Sequence, residues 1–488
     1  MRVIVPLYHQ CATPLYQQLA DGIRSLIEKG ALAPDSKLPS TRELAESLDV
    51  SRCTVSLAYN VLTESGYIHS PSHAGTFVAR KANKGNNLNV LRQGYGVKTQ
   101  SEVKLSDQGE RLMSNVVLKE LDAELFSEIN FSGPAREYLP AAGWFKALSK
   151  ISKSIDKLDN NPDVFGCESL RKALCKYLAA TKGINCSVEQ IAIFSSTQIA
   201  LEIFASILIN ERSGCVVENP GFPGIFRTVL AHNGALRPIE VDLHGLQTER
   251  LDGLKDVCLA YVTPNKQSPT GVRMSNCRRK QLLDWAQIND VLVIEDDFDT
   301  EYCFTGKPQL SLKAEDSNDL VIYLSSFWAM MYPLTKIGFA VIPEKFIEPV
   351  RRAKASMDRH ANVIEEEALA EYLNSGGYHR HLRKTKPTIA ENRNLLIATL
   401  SAVFGPNITL KPSACGTSLV LEFPLNYSHQ SIIEGAKELG LPLVSTRSFY
   451  IYNGQVRWDQ NEFMVSIACL EKEALGLFGE LKNKIVFH

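Results

Sequence analysis

Five short apolar runs, at residues 215–217, 258–262, 291–294, 320–324 and 337–342, constrain this chain more than any other feature in it. Each is a nearly unbroken series of Val, Ile, Leu, Ala and Cys. A strand with one wet face would alternate apolar and polar residues, whereas these runs suit strands covered on both faces. Amphipathic helix candidates, such as residues 278–287, lie between them. Buried strands alternating with helices specify an α/β body with a mainly parallel sheet, and the pattern holds from about Leu125 to the end of the chain, residues 125–488. At 488 residues and 54.2 kDa the chain exceeds one ordinary core, and length alone suggests about three domains.

The charges nearly cancel, with 53 Lys and Arg against 54 Asp and Glu. The chain as a whole therefore exerts no general pull on nucleic acid or an anionic membrane. The longest apolar candidate for a membrane span, residues 199–209, is short and carries Glu202. The first ten residues lack an apolar stretch of export-signal type before Pro6. Eleven cysteines, an odd number with no C-x-x-C pair, read as mostly buried small hydrophobes in a reduced chain, with no disulfide scaffold and no metal site. The expectation is a cytoplasmic protein without membrane contact.

The first 80 residues have a different texture. Thr13-Pro14 reads as the start of a helix whose Leu15, Leu19, Ile23, Leu26 and Ile27 share a face, and Gly30 ends it. Ser40 and Glu43 have capping-box spacing ahead of a second, short helix. Ser51 caps a third, whose Val55, Ala58, Tyr59 and Leu62 form one stripe. Residues 67–69 and 76–78 are strand-like, with a hairpin tip between them. Two short helices, a tight turn at Asp49-Val50, a third helix and a small hairpin make a winged helix-turn-helix. Its third helix offers Arg52, Thr54, Ser56 and Asn60 to a major groove, Arg42 is placed for the DNA backbone, and His73 and Gly75 sit at the wing tip. Residues 1–80 hold seven Lys and Arg against seven Asp and Glu, so this unit is neutral. Residues 81–124 follow as a linker, Asn- and Gly-rich at 83–89. Over residues 81–120 seven basic side chains face four acidic ones, a net charge of +3. A solvated tether and a contact to DNA phosphates are the two readings of that charge.

Four stretches of the head carry a family resemblance: Pro14-Leu15-Tyr16-Gln17-Gln18-Leu19; residues 37–45, Lys-Leu-Pro-Ser-Thr-Arg-Glu-Leu-Ala; Val50-Ser51-Arg52-Cys53-Thr54-Val55; and Gly75-Thr76-Phe77-Val78. Together they resemble the GntR family of bacterial regulators. The resemblance implies that Arg42, Ser51, Arg52, Thr54 and the wing around His73 and Gly75 contact double-stranded operator DNA. His73-Ala74 stands where that family usually has Gly-Ser.

The body resembles a fold type I, pyridoxal-phosphate-dependent aminotransferase. The blocks that carry this are residues 218–224, Glu-Asn-Pro-Gly-Phe-Pro-Gly; Tyr261-Val262-Thr263-Pro264 with Gln267-Ser268-Pro269-Thr270-Gly271; residues 294–302, Ile-Glu-Asp-Asp-Phe-Asp-Thr-Glu-Tyr; and Val321-Ile322-Tyr323. A GntR-like head on such a body resembles the MocR-type regulators, which implies a homodimer. By this resemblance Asp296 stands under the pyridine nitrogen and Phe222 stacks on the ring. Ser195, Ser196, Thr197 and Gln198 form the phosphate cup, with Ser196 in place of the usual glycine.

The departures concern the imine. Family members read roughly Val-Ile-Tyr-x-Gly-Thr-Phe-Ser-Lys-Thr-Leu-x-Pro-x-x-Arg-x-Gly, and this chain, aligned on Phe327, Pro333 and Gly338 without a gap, has Ala329 at the lysine position. Lys336 replaces the phosphate-binding arginine, keeping charge but losing the bidentate fork. Phe298 replaces a cofactor-contacting tyrosine, and Met464 falls where the substrate-carboxylate arginine is expected. The resulting expectation is a DNA-binding regulator whose body dimerises, has no catalysis, and senses a small molecule of unknown identity if it senses one. Pyridoxal phosphate would bind only non-covalently. The alternatives are a pyridoxal-phosphate-binding regulator with residual aminotransferase-type chemistry, and a DNA-bound scaffold that takes no ligand.

Overall fold

The computed structural model describes residues 5–8, 13–71, 75–79, 104–114, 134–154, 156, 158, 162–211, 213–306, 309–359, 362–411, 413–452, 455–456, 461–470 and 472–486. It divides into two compact units, residues 1–103 and 104–488.

In the first unit, helix α1 (Leu15–Glu28) buries Leu19, Ala20 and Ile23. Pro14 itself is the residue preceding the helix, so Thr13 is not its cap. Helix α2 (Thr41–Leu48) begins with the full capping box between Ser40 and Glu43, which satisfies two amides that the helix cannot. Asp49 ends it in the left-handed region, at φ 52°, and this single residue makes the tight turn. Helix α3 (Arg52–Glu64) follows, with Ser51 accepting from the Thr54 amide. Its Val55, Ala58, Tyr59 and Leu62 close the core against α1 and α2. Tyr59 donates its hydroxyl to the Pro39 carbonyl at 2.8 Å, tying α3 to the chain ahead of α2. Strands β1 (Ile68–His69) and β2 (Phe77–Val78) pair antiparallel as the wing. Gly75 has a positive φ, and a Cβ there would lie 2.8 Å from Lys37 Cε. His73 lies outside the described residues.

The second unit opens with helix α4 (Asp107–Ser114), inside the segment read as linker. Ser106 caps it, and Asp107 and Glu110 suit its positive N-terminal end. Helices α5 (Ala141–Ser152) and α6 (Glu168–Thr181) precede the main sheet. Its strands are β3 (Ile191–Phe194), β4 (Gly214–Asn219), β5 (Ala235–Asp242), β6 (Gly245–Leu246), β7 (Val257–Val262), β8 (Leu292–Asp296), β9 (Val321–Ser326) and β10 (Gly338–Val341). They lie in the order β3-β10-β9-β8-β7-β4-β5-β6. Helix α7 (Thr197–Leu208) follows β3, α8 (Pro223–Ala231) follows β4, and α9 (Asn276–Ile288) follows β7. As expected, the apolar runs are covered on both sides. Cys215, Val217, Leu259 and Tyr261 join one core cluster while Val216, Ala260 and Val262 join another.

The sheet is parallel from β5 through β4, β7, β8 and β9, but β10 runs antiparallel to both its neighbours. A mainly parallel sheet is thus present, with residues 337–342 and the short edge strand β6 as the exceptions. The link from β9 to β10 holds only the one-turn helix Trp328–Met331, too little chain for the crossover that a parallel return needs. After β10 come α10 (Ile347–Met357), α11 (Val363–Asn374) and the long α12 (Gly377–Phe404). A four-stranded antiparallel sheet completes the unit. Strands β11 (Thr409–Lys411), β12 (Ser418–Glu422), β13 (Leu443–Ser445) and β14 (Glu462–Ser466) lie in the order β11-β12-β14-β13. Among the described residues no helix is long and apolar enough to cross a membrane, and no group of His, Cys, Asp and Glu is placed to hold a metal.

Candidate functional site

In the first unit the polar residues of α3 divide into those that build the helix and those that leave it. Ser51 Oγ accepts from the Thr54 amide at 3.0 Å and lies 2.8 Å from Thr54 Oγ1, so this pair fixes the first turn. Arg52, Ser56 and Asn60 are exposed on the face away from the core. Arg42, near the start of α2, is 70% exposed and, among the described residues, meets only Glu46, at 3.3 Å. The neutral head therefore keeps Arg42, Arg52, Ser56 and Asn60 exposed.

In the second unit the topology collects a different set. β3, β4, β7, β8 and β9 all point the same way, so their carboxyl ends share one edge, where ligands of open α/β sheets bind. From that edge come the residues at 195–198 after β3, Phe222 after β4, Asp296 at the end of β8, and the turn Trp328–Met331 after β9. Ser196 caps α7, its Oγ accepting from the Ile199 amide at 3.2 Å. Ser195 donates to Asp358 Oδ1 at 2.8 Å, and Gln198 donates to Thr228 Oγ1 at 2.8 Å. The first residue of β10 must be glycine here, because a Cβ on Gly338 would lie 2.8 Å from the Thr197 amide nitrogen. Lys336, two residues earlier, is exposed.

Asp296 is buried, and burial pushes its carboxyl up to about 7 against the stabilising hydrogen bond from Tyr261, whose Oη lies 2.5 Å from Oδ2. Tyr261 also stacks on Phe222, with ring centroids 6.4 Å apart and planes 24° from parallel. Glu218 is likewise pushed up to about 7 by burial, although Thr263 and Gln267 donate to it. Burial acts on Asp297 too, but the Lys182 ammonium overcomes it and holds that carboxyl below the usual range. Phe298 is exposed. Ala329 is 4% exposed, within the apolar core that includes Phe327, Met330 and Met331, and Trp328 stacks on Tyr332 at 3.8 Å between centroids. Met464, on β14, packs with Val420, Val444, Phe449 and Tyr450.

Thus 195–198, Phe222 and Asp296 come to one edge of the sheet. Tyr261 stands within a family block of the sequence but was given no role there, although it partners both Phe222 and Asp296. Its one signal was the apolar run around it, in which a hydroxyl needs a buried acceptor.

The family profile "Bacterial regulatory proteins, gntR family" matches residues 15–78, and "Aminotransferase class I and II" matches residues 125–452. The chain is 30% identical to the probable rhizopine catabolism regulatory protein MocR of Rhizobium meliloti, over 84% of this chain and 82% of that one. It is 26% identical to the HTH-type pyridoxine biosynthesis transcriptional regulator PdxR of Corynebacterium glutamicum, over 84% and 83%. An archaeal alanine:glyoxylate aminotransferase shares the fold, with TM-score 0.70 and 21% identity over 78% of this chain and 97% of that structure. With a gntR-type head ahead of an aminotransferase class I and II body, and this likeness along most of its length, the chain belongs to the family of MocR-type regulators.

Proposed function

We propose that this protein is an operator-binding transcription regulator whose aminotransferase-like body dimerises and carries no catalysis. The observation that carries the reading is the exposed face of α3, where Arg52, Ser56 and Asn60 project from a helix locked to the core on its other side. In this reading residues 1–80 are the DNA-binding head, 81–124 the tether and 125–488 the body. Arg52, Thr54, Ser56 and Asn60 face the major groove, Arg42 touches the backbone, Ser51 contacts the DNA at the start of the helix, and the wing at His73 and Gly75 approaches the minor groove. Two heads on one homodimer would read paired half-sites. Work on chromosomal DNA makes the protein cytoplasmic.

For the body, the fold implies pyridoxal phosphate. The cup at 195–198, Lys336, Phe222 and Asp296 offer a phosphate site, a ring partner and an acid. A covalently held cofactor also needs a lysine amine, and the aligned position is Ala329, buried among apolar side chains. The residues therefore do not fit a cofactor held as an imine, and no catalytic step is assigned to them. Phe298, Lys336 and Met464 support the same reading. A ligand of this cleft would be a non-covalent effector.

Binding-site selection on double-stranded DNA, followed by footprinting and gel shift, tests the head. Arg52→Ala should weaken specific binding by about 1–3 kcal/mol, the worth of a bidentate base contact. Light scattering should give a dimer. Specific affinity unchanged in both Arg52→Ala and Arg42→Ala would remove α3 and α2 from the interface.

A further inference from the structure

We propose that Cys303 and Cys415 are a modification site, a thiol pair that a peroxide converts to a reversible disulfide. The inference rests on geometry within the body and is independent of operator binding. Of the ten described cysteines only Cys167, Cys215 and Cys415 are buried, while Cys53 and Cys277 are exposed and the rest are half-buried, so the expectation of mostly buried thiols does not hold. Among them Cys303 and Cys415 face each other across an antiparallel bridge. Gly416 N donates to Tyr302 O at 2.8 Å on one side of the pair, and Phe304 N to Ala414 O at 2.9 Å on the other. That pattern marks a non-hydrogen-bonded pair, in which facing Cα atoms lie about 4.5 Å apart with their side chains on the same face. Disulfides span Cα separations of about 4.4–6.8 Å, so the backbone need not move.

A third group supports the chemistry. The Arg273 guanidinium donates to Cys303, with Nη2 3.0 Å from Sγ, and its charge also pulls on the Cys415 thiol. It therefore brings the two thiols to one cation and sets positive charge against the sulfur that must attack as an anion. Cys303 is half-buried and reachable. Cys415 is 2% exposed, and burial pushes its thiol up against the pull of Lys266 and Arg273. Cys303 is accordingly the attacking sulfur and Cys415 the resolving one. The Cys303 thiolate attacks one oxygen of hydrogen peroxide, the O–O bond breaks, and hydroxide leaves to become water. The Cys415 sulfur then attacks the resulting sulfenic sulfur, the S–O bond breaks, and a second water leaves. Two thiols lose two electrons and two protons, and one peroxide is reduced to two waters.

Two other thiol pairs serve as internal controls. Cys175 and Cys186 act on each other electrostatically, and burial raises both, Cys186 to about 12. Cys215 and Cys258 sit on neighbouring strands, and burial raises both. Among the described residues no cation hydrogen-bonds either pair. The Cys303–Cys415 bond would have a structural consequence at the sheet edge. Cys303 ends the loop that leaves β8 with Asp299, and Cys415 precedes Thr417, whose amide and hydroxyl both donate to Asp299 Oδ2. The bond would pin that loop to the start of β12.

The full-length protein is treated with hydrogen peroxide, its free thiols are alkylated with N-ethylmaleimide, and a non-reducing digest is mapped by mass spectrometry. The expected product is a Cys303–Cys415 cross-linked peptide, with a rise in the body's Tm, both reversed by dithiothreitol. The cross-link should be absent in Cys303→Ser and Cys415→Ser and should form several-fold more slowly in Arg273→Gln. In Cys415→Ser, dimedone should trap a sulfenic acid on Cys303. Alkylated Cys303 after peroxide treatment, or a first cross-link at Cys175–Cys186 or Cys215–Cys258, would overturn the proposal.

Discussion

The exposed face of α3 and the carboxyl edge of the main sheet are both polar surfaces at the start of a helix, and they treat their polar groups in opposite ways. On the exposed side of α3, Ser51 and Thr54 spend hydrogen bonds on starting the helix. Arg52, Ser56 and Asn60 remain outside. At the sheet edge the side chains have turned on one another: Ser195 to Asp358, Ser196 to its own helix, Gln198 to Thr228, and Asp296 to Tyr261. A surface built for a polyanion keeps its donors facing water until the partner arrives. A cleft that satisfies its own donors must trade those bonds for any ligand it takes, and each trade returns only about 0.5–1.5 kcal/mol net. The lesson is that the ancestry of a site and its present readiness are separate properties.

The all-or-none test of that contrast is at the cleft. Protein incubated with pyridoxal phosphate should show no aldimine absorbance, lose the ligand on dialysis, and yield no pyridoxyl-lysine after borohydride. A pyridoxyl adduct on Lys336 or Lys266 would break the contrast, because the cleft would then be ready after all. Ala329→Lys should not restore the band, since Trp328 and Tyr332 are stacked beside that position.

Next in size is a core truncation that separates the two units. Leu19 is fully buried in the head, and Leu19→Ala should cost the head about 2–5 kcal/mol. Operator binding should fall with it while the melting transition of the body stays in place. A single transition that shifts as a whole would mean that the head's core is not its own.

A smaller effect follows from the buried carboxyls near the cleft. Burial raises Asp296, Glu218, Glu295 and Glu301 each to about 7. Such a group binds its proton more tightly when folded, so its contribution is full below its unfolded value of about 4 and is lost as pH climbs to about 7. Asp297, held low against burial chiefly by Lys182, has the opposite sign and loses its contribution only in acid. The body's Tm should therefore fall by a few degrees as pH rises through this window, and Asp296→Asn should flatten the fall. A slope unchanged in the variant would assign the titration to the other three.

The smallest effect expected is at the edge of the DNA surface. Arg42→Ala removes a positioning contact and breaks only an exposed pair with Glu46. It should reduce the salt dependence of binding by about one counterion without changing sequence preference. A change of preference would promote Arg42 from a backbone contact to a reader of bases.

Much of this was legible in the residues themselves. The capping box at Ser40 and Glu43, the cap at Ser51 and the buried stripe from Val55 to Leu62 are local patterns, and local patterns suffice for helices because each hydrogen bond spans four residues. The apolar runs at 215–217, 258–262, 291–294 and 320–324 likewise named their strands. The sequence by itself therefore determined the helices of the head and the strands of the body. The tertiary structure alone decided the rest. It reversed β10, because the chain between Phe327 and Ile337 is too short to cross over. It started a helix at Asp107 within a segment whose average composition reads as tether. It placed Tyr261 on Asp296 across two strands, and Cys303 opposite Cys415 across more than a hundred residues of chain. No periodicity carries such pairings. They depend on sheet order and register, which are fixed by how the whole apolar surface closes rather than by any window of sequence.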